Sequence, residues 1–199
     1  MTAPIVDVVD TLTGAAPDGV VTAVRSIRPV TREQLQASYD ALFDPVDDSD
    51  VSLTERALIA AFATRLTGAD ATADHYARLA ADADGSAASV IASLADRAGT
   101  SGPFGRYREP GLAAEGTDGL RFSVPEDARA QLGDRLAAAL EHTHLLVYRP
   151  REAADAALQR LLDAGWTVSG IVTLSQLVAF LAFQQRVVAG LRVLEEVGA

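Results

Sequence analysis

Apolar residues recur at three- and four-residue steps along most of the chain, and that spacing predicts helices. Leu35, Tyr39, Leu42 and Phe43 mark one, opened by the capping-box sequence Thr31-Arg32-Glu33-Gln34. It ends at Asp44-Pro45, because the residue before a proline avoids the helical conformation. Ser52-Leu53-Thr54-Glu55 is a second capping box, and the helix behind it carries Leu58, Ile59, Phe62 and Leu66 up to a stop at Gly68. Asp70 to Ala83 and a segment opened by Gly85-Ser86 form two more helices. Ahead of them, Ile5 to Leu12 and Val20 to Ile27 read as a short helical arm over residues 1–30.

Residues 99–123 interrupt the pattern with eight glycines and prolines, among which stand Phe104, Tyr107 and Phe122. A connection this long inside a domain is expected to be a lid or a binding loop, and its aromatics need something to pack on. Helix resumes at Ser123-Val124-Pro125-Glu126, with Leu132, Leu136, Leu140 and Leu145 on one face and a stop at Pro150. Glu152 to Ala164 follows, closed by Gly165 with Trp166 in the turn. The last helix, Ser169 to Glu196, is apolar nearly all round, which predicts burial by other helices, a partner subunit among them. No segment alternates with a strand's period of two. The expected fold is all-α: two helical halves, residues 31–199, joined by the 99–123 loop.

Composition narrows the chemistry. The chain has 199 residues, no cysteine and a net charge of −10. It has no thiol to oxidise, and its basic residues are all arginine, so a Schiff-base lysine is excluded. No basic stripe is present to meet nucleic acid or an anionic membrane surface. The N-terminus lacks a signal-peptide pattern, and Gln176, Gln184, Gln185, Arg186 and Arg192 interrupt the last helix as a membrane span. The expectation is a cytoplasmic protein without a membrane or nucleic-acid partner.

Ser52-Leu53-Thr54-Glu55-Arg56-Ala57-Leu58-Ile59-Ala60, then Thr67-Gly68, then His75, resembles the core of the AhpD-like family of alkylhydroperoxidases and carboxymuconolactone decarboxylases. That core has a glutamate-arginine-glutamate helix followed by Cys-x-x-Cys-x-x-x-His. Further on, Leu145-Leu146-Val147-Tyr148-Arg149-Pro150, Leu161-Leu162-Asp163-Ala164-Gly165-Trp166 and Ala179-Phe180-Leu181-Ala182-Phe183-Gln184-Gln185-Arg186 are similar to segments of the peroxidase-related members. The resemblance covers roughly Thr31 to Leu194 and implies an AhpD-like helical bundle. It also implies a homo-oligomer, a trimer or larger. The departures matter. Counted back from His75, the cysteine positions hold Gly68 and Ala71; shifted by one, they hold Ala69 and Thr72, with Tyr76 for the histidine. Ala57 replaces the second glutamate.

Three residues inherit a catalytic role by resemblance: His75 as proton carrier, Glu55 as relay acid and Arg186 as the cation for a substrate carboxylate. Each has a plainer role as well. Glu55 is placed to cap its own helix, His75 to sit in the core or on the surface, and Arg186 to form a salt bridge or snorkel. Glu141 and His144 share a helix face, but without a second Glu-x-x-His they do not make a metal site, so they read as an ordinary pair on a solvated helix; neither metal nor cofactor is expected. Two functions follow from the resemblance. One is a family member without thiol peroxidase activity, non-catalytic or divergent, working beside a cysteine-bearing paralogue. The other is a cofactor-free acid–base enzyme acting on a small carboxylated or carbonyl compound.

Overall fold

A computed structural model describes residues 7–68 and 70–198. Ile5 and Val6, expected in the first helix, and Ala69, one of the cysteine-equivalent positions, lie outside the described residues. The fold is all-α, with no strand among the described residues beyond a single Gly105–Thr117 bridge. Its helices are α1 (Val8–Thr13), α2 (Val20–Ser26), α3 (Pro29–Phe43), α4 (Leu53–Leu66), α5 (Ala71–Ala98), α6 (Glu126–Leu132), α7 (Asp134–Tyr148), α8 (Asp155–Asp163) and α9 (Val168–Gly198).

The centre of the molecule is α4. Every residue from Arg56 to Thr64 is buried, and α3, α5, α7 and α9 surround it. Its small residues, Ala57, Ala60, Ala61 and Ala63, let neighbouring backbones approach, while Ile59 and Phe62 fill the space between them. α9 differs from its expected burial. Leu174, Leu177 and Leu181 are sealed, but Val168, Val172, Phe183, Val193 and Val197 are exposed. The helix packs against α1, α2, α3, α4, α7 and α8, and the exposed residues form its outer face. By length and composition, Val168–Val197 is apolar enough to cross a membrane despite its interrupting polar residues. Packing against six helices of the same chain fits a core helix as well.

Local chemistry explains where the helices begin and break. The Ser52–Glu55 capping box forms: the Ser52 hydroxyl accepts from the Glu55 amide at 3.2 Å, and Glu55 Oε2 accepts from the Ser52 amide at 2.9 Å. The box expected at Thr31 does not form. Pro29, whose fixed φ suits a first helical position, starts α3 three residues earlier, so Thr31 already lies inside the helix. The two helices expected either side of Gly85 run as one element, α5, broken at Asp84 (φ −157°, ψ 95°). The Asp84 carboxylate accepts from the amides of Ser86 and Ala87 and so caps the second segment. The single helix expected through Leu132 and Leu136 is two, because Gly133 takes φ +80° between them.

Residues 99–125 hold no α-helix, only a 3-10 turn at Pro110–Glu115. Tyr148 ties the start of this connection to the core. Its hydroxyl donates to the Leu66 carbonyl at the end of α4 and accepts from the Thr100 amide at 3.2 Å. Phe122, nearer the other end, stacks between Phe62 and His144, with ring centroids 5.4 and 5.2 Å away.

Candidate functional site

A cleft of about 790 Å³ lies between the C-terminal ends of α4 and α7 and the middle of α9, with residues 100–103 along one side. That volume lies within the range of ordinary small-molecule sites. Leu146, Val147, Val178, Leu181 and the small residues Ala179 and Ala182 make its apolar walls. Its polar end is the turn from α4 into α5. There Thr67 donates its hydroxyl to Gln185 Oε1 at 2.7 Å, and Gln185 Nε2 donates to the Thr64 carbonyl at 3.0 Å. Asp70, in the same wall, accepts from the Ala73 amide at 2.9 Å and caps α5. Arg186 lines the cleft and is exposed; its Nη1 donates to the Ala182 carbonyl at 2.7 Å, and no carboxylate pairs with it among the described residues.

The three residues singled out by resemblance do not share this cleft. Glu55 lies at the opposite end of α4, twelve residues from Thr67, or about 18 Å along a helix. It caps its helix and pairs with Arg135, Nε to Oε1 at 2.7 Å. Arg135 also donates to the carbonyls of Asp50 and Gly165 and covers the Trp166 ring at 4.1 Å. Glu55 therefore belongs to a structural junction joining α4, α7 and the turn before α9. His75 does not line this cleft. It is half-buried, with Nε2 3.3 Å from the Tyr39 hydroxyl and its ring edge-on to Tyr76. Burial, then the nearby Arg78, lower its pKa and favour the neutral ring. Only Arg186 stands at the cleft.

Tyr76, the histidine position in the shifted register, is fully buried, and its hydroxyl donates to Gln184 Oε1 at 2.7 Å. Burial raises its pKa well above the phenol range, so it stays a neutral packing residue. The expected Glu141–His144 pair on a solvated helix is corrected. Both His142 and His144 are buried. Glu141 Oε1 accepts from Arg129 Nη2, the Val124 amide and the Ser123 hydroxyl, while His144 Nε2 lies 3.2 Å from the Ala98 carbonyl. The reason is that α7 is covered by the 99–125 connection on one side and by α8 on the other. No group of three or more His, Asp or Glu residues suited to a metal ion occurs among the described residues.

Thr67 and Gln185 enter the sequence reading only as parts of resembling segments, and Asp70 only as a helix start; none reads as a site residue, because each is an ordinary polar residue at a helix end or in a helix. The available signal was the adjacent pair Gln184-Gln185 among the few polar residues of a mostly apolar helix. Comparison with known proteins finds no matching family model, no matching curated protein and no matching solved structure.

Proposed function

We propose that this protein is a cysteine-free relative of the AhpD-like proteins that binds a small amphipathic carboxylate in the α4/α7/α9 cleft. The observation that carries this reading is the position of the cleft. It opens at the turn from Thr67 to Asp70, beside Gly68 and Ala71, where the resembling family keeps its redox pair. What remains there binds but does not oxidise. The walls suit an alkyl or aryl body, the Thr67–Gln185 pair offers hydrogen bonds, and Arg186 offers a guanidinium to a carboxylate. A non-catalytic role is favoured over acid–base turnover because His75, the proton carrier of the enzyme reading, is engaged with Tyr39 away from the cleft.

Isothermal titration with octanoate and with 1-octanol tests the reading. Octanoate is expected to bind, and Arg186→Ala to weaken it about tenfold, the effect of one exposed charge-assisted contact of about 1.4 kcal/mol, with octanol unaffected. Equal binding of acid and alcohol, or an unchanged octanoate affinity in Arg186→Ala, argues against it. Turnover of an alkyl hydroperoxide above background would refute the premise that the chain lacks peroxidase chemistry.

The exposed face of α9 supports self-association. Val168, Val172, Phe183, Val193, Leu194 and Val197 are 44–82% exposed along one helix. They offer on the order of 500 Å² per copy, so a two-fold pairing would bury about 1,000 Å², near the lower bound of a specific interface. Phe183→Glu is expected to shift the molecular mass measured by light scattering towards the monomer. An unchanged mass would place any contact elsewhere.

A further inference from the structure

A second cavity, of about 240 Å³, lies between α7, α8 and the end of the 99–125 connection, and the proposed function leaves it unused. Three guanidinium groups line it, those of Arg121, Arg149 and Arg160, together with the imidazoles of His142 and His144 and the carboxylate of Glu141. In a chain of net charge −10 this is an unusual concentration of cations. Two of the three are already engaged. Arg149 and Arg121 both grip the carboxylate of Glu152, with donor–acceptor distances of 2.7 to 3.1 Å. Oε1 of Glu141 is saturated by Arg129, Val124 and Ser123. Arg160 is exposed and has no hydrogen-bond or ion-pair partner among the described residues.

His142 is the independent observation. It is 5% exposed, it forms part of the cavity wall, and neither of its ring nitrogens has a hydrogen-bond partner among the described residues. Buried polar atoms are almost always paired, so an orphaned imidazole beside a cavity calls for a missing partner. A neutral imidazole presents one N–H donor and one bare acceptor nitrogen. His144 adds a second acceptor if its Nε2–H serves the Ala98 carbonyl, the tautomer that this 3.2 Å contact requires. A bare carboxylate or sulfate satisfies a cation and a donor but leaves an acceptor nitrogen empty. An anion that also carries an O–H satisfies all three.

We propose that this cavity binds a small hydroxylated oxyanion, its charge held by Arg160 and its hydroxyl donated to an imidazole nitrogen of His142 or His144. Inorganic phosphate and a hydroxycarboxylate such as L-lactate share that chemistry. Sulfate and acetate carry the charge without the hydroxyl.

The chain has three histidines, so their imidazole resonances can be followed one by one in the full-length protein. Titrations with phosphate, sulfate, L-lactate and acetate at about pH 7.5, where phosphate is partly protonated and sulfate is not, form the four arms. The result expected is a saturable shift of His142 and His144, with His75 unmoved, for phosphate or L-lactate, and at least about tenfold weaker binding of the matching anion without the hydroxyl. Whichever of the two binds more tightly identifies the source. Arg160→Gln, at an exposed position, is expected to weaken the binding by about tenfold or more with an unchanged circular dichroism spectrum. Equal shifts from all four anions would reduce the site to general charge attraction and overturn the proposal. So would the absence of any shift of His142 up to about 10 mM, or full binding by Arg160→Gln.

Discussion

Arg56→Met is expected to destabilise the protein by about 2–4 kcal/mol, the cost of stranding two buried carbonyl acceptors. Arg56 is 5% exposed, and no carboxylate pairs with it among the described residues. Its guanidinium instead serves backbone carbonyls. Nε donates to Val51 at 2.8 Å, and Nη1 donates to Leu42 at 2.9 Å, with Ala41 more distant at 3.4 Å. The Ala41 and Leu42 carbonyls lie in the last turn of α3, which has no intrahelical donors for them, and a cation there also opposes the negative end of the helix dipole. The side chain thus staples the end of α3 and the 44–52 loop to the central helix. Methionine fills much of the same volume but leaves the buried Val51 and Leu42 carbonyls without a donor. Lysine, a single point donor, replaces the fork only in part. The contrasting substitution is Arg65→Ala, which breaks an exposed pair with Asp96 and is expected to cost less than about 1 kcal/mol. Urea unfolding of the two variants side by side measures both; an Arg56→Met midpoint close to wild type would refute the staple.

Acid is expected to remove about 3 kcal/mol of stability between pH 6.5 and pH 4 through His142 alone. Burial, and secondarily the charge of Arg160, push its pKa from the ordinary 6.5 to about 4. The folded state therefore prefers the neutral ring, and the unfolded chain takes up the proton first as pH falls. Stability is complete above the unfolded value, declines as pH drops below 6.5, and levels off once the folded state is protonated near pH 4. His75 and His144 are shifted the same way, each chiefly by burial, and add to the slope. Glu152, held down to about 2 by hydrogen bonds from Arg149 and Arg121, contributes in a lower window, as pH falls below its ordinary 4.5. The upper part of the loss thus belongs to the histidines. His142→Phe keeps a planar ring without the orphaned nitrogens and is expected to flatten most of the slope between pH 6.5 and 4.5. Unfolding midpoints that hold constant over that interval in the wild type would contradict the assignment.

The helical pattern was legible wherever one local rule decided the outcome. The Ser52–Glu55 box, the stop at Asp44-Pro45 and the stop at Pro150 all stand where the sequence places them. It misled where two rules competed. Thr31 has a capping-box sequence, but Pro29 initiates first; Leu132 and Leu136 share a periodic face, but Gly133 takes a left-handed φ and divides it. Helix burial was harder to read. α4 and α9 are both strongly apolar, yet α4 is enclosed on all sides, and α9 keeps an outer stripe clear of the rest of the fold. Periodicity within a helix does not encode how many neighbours surround it. The burial of His142 and His144 was illegible for the same reason: it depends on α8 and on residues 99–125, which lie outside the helix that carries them. The cleft assembles from Thr67, Tyr148 and Gln185, residues whose proximity no local spacing announces.

The proposed ligand site is the Thr67–Asp70 turn and the adjoining face of α9, away from His75. The most direct test is octanoate titration of Ala182→Trp, whose indole would occupy the cleft, alongside His75→Ala, which leaves the cleft untouched. Binding lost in Ala182→Trp and kept in His75→Ala is the predicted result. Binding kept in Ala182→Trp, or lost in His75→Ala, would contradict it.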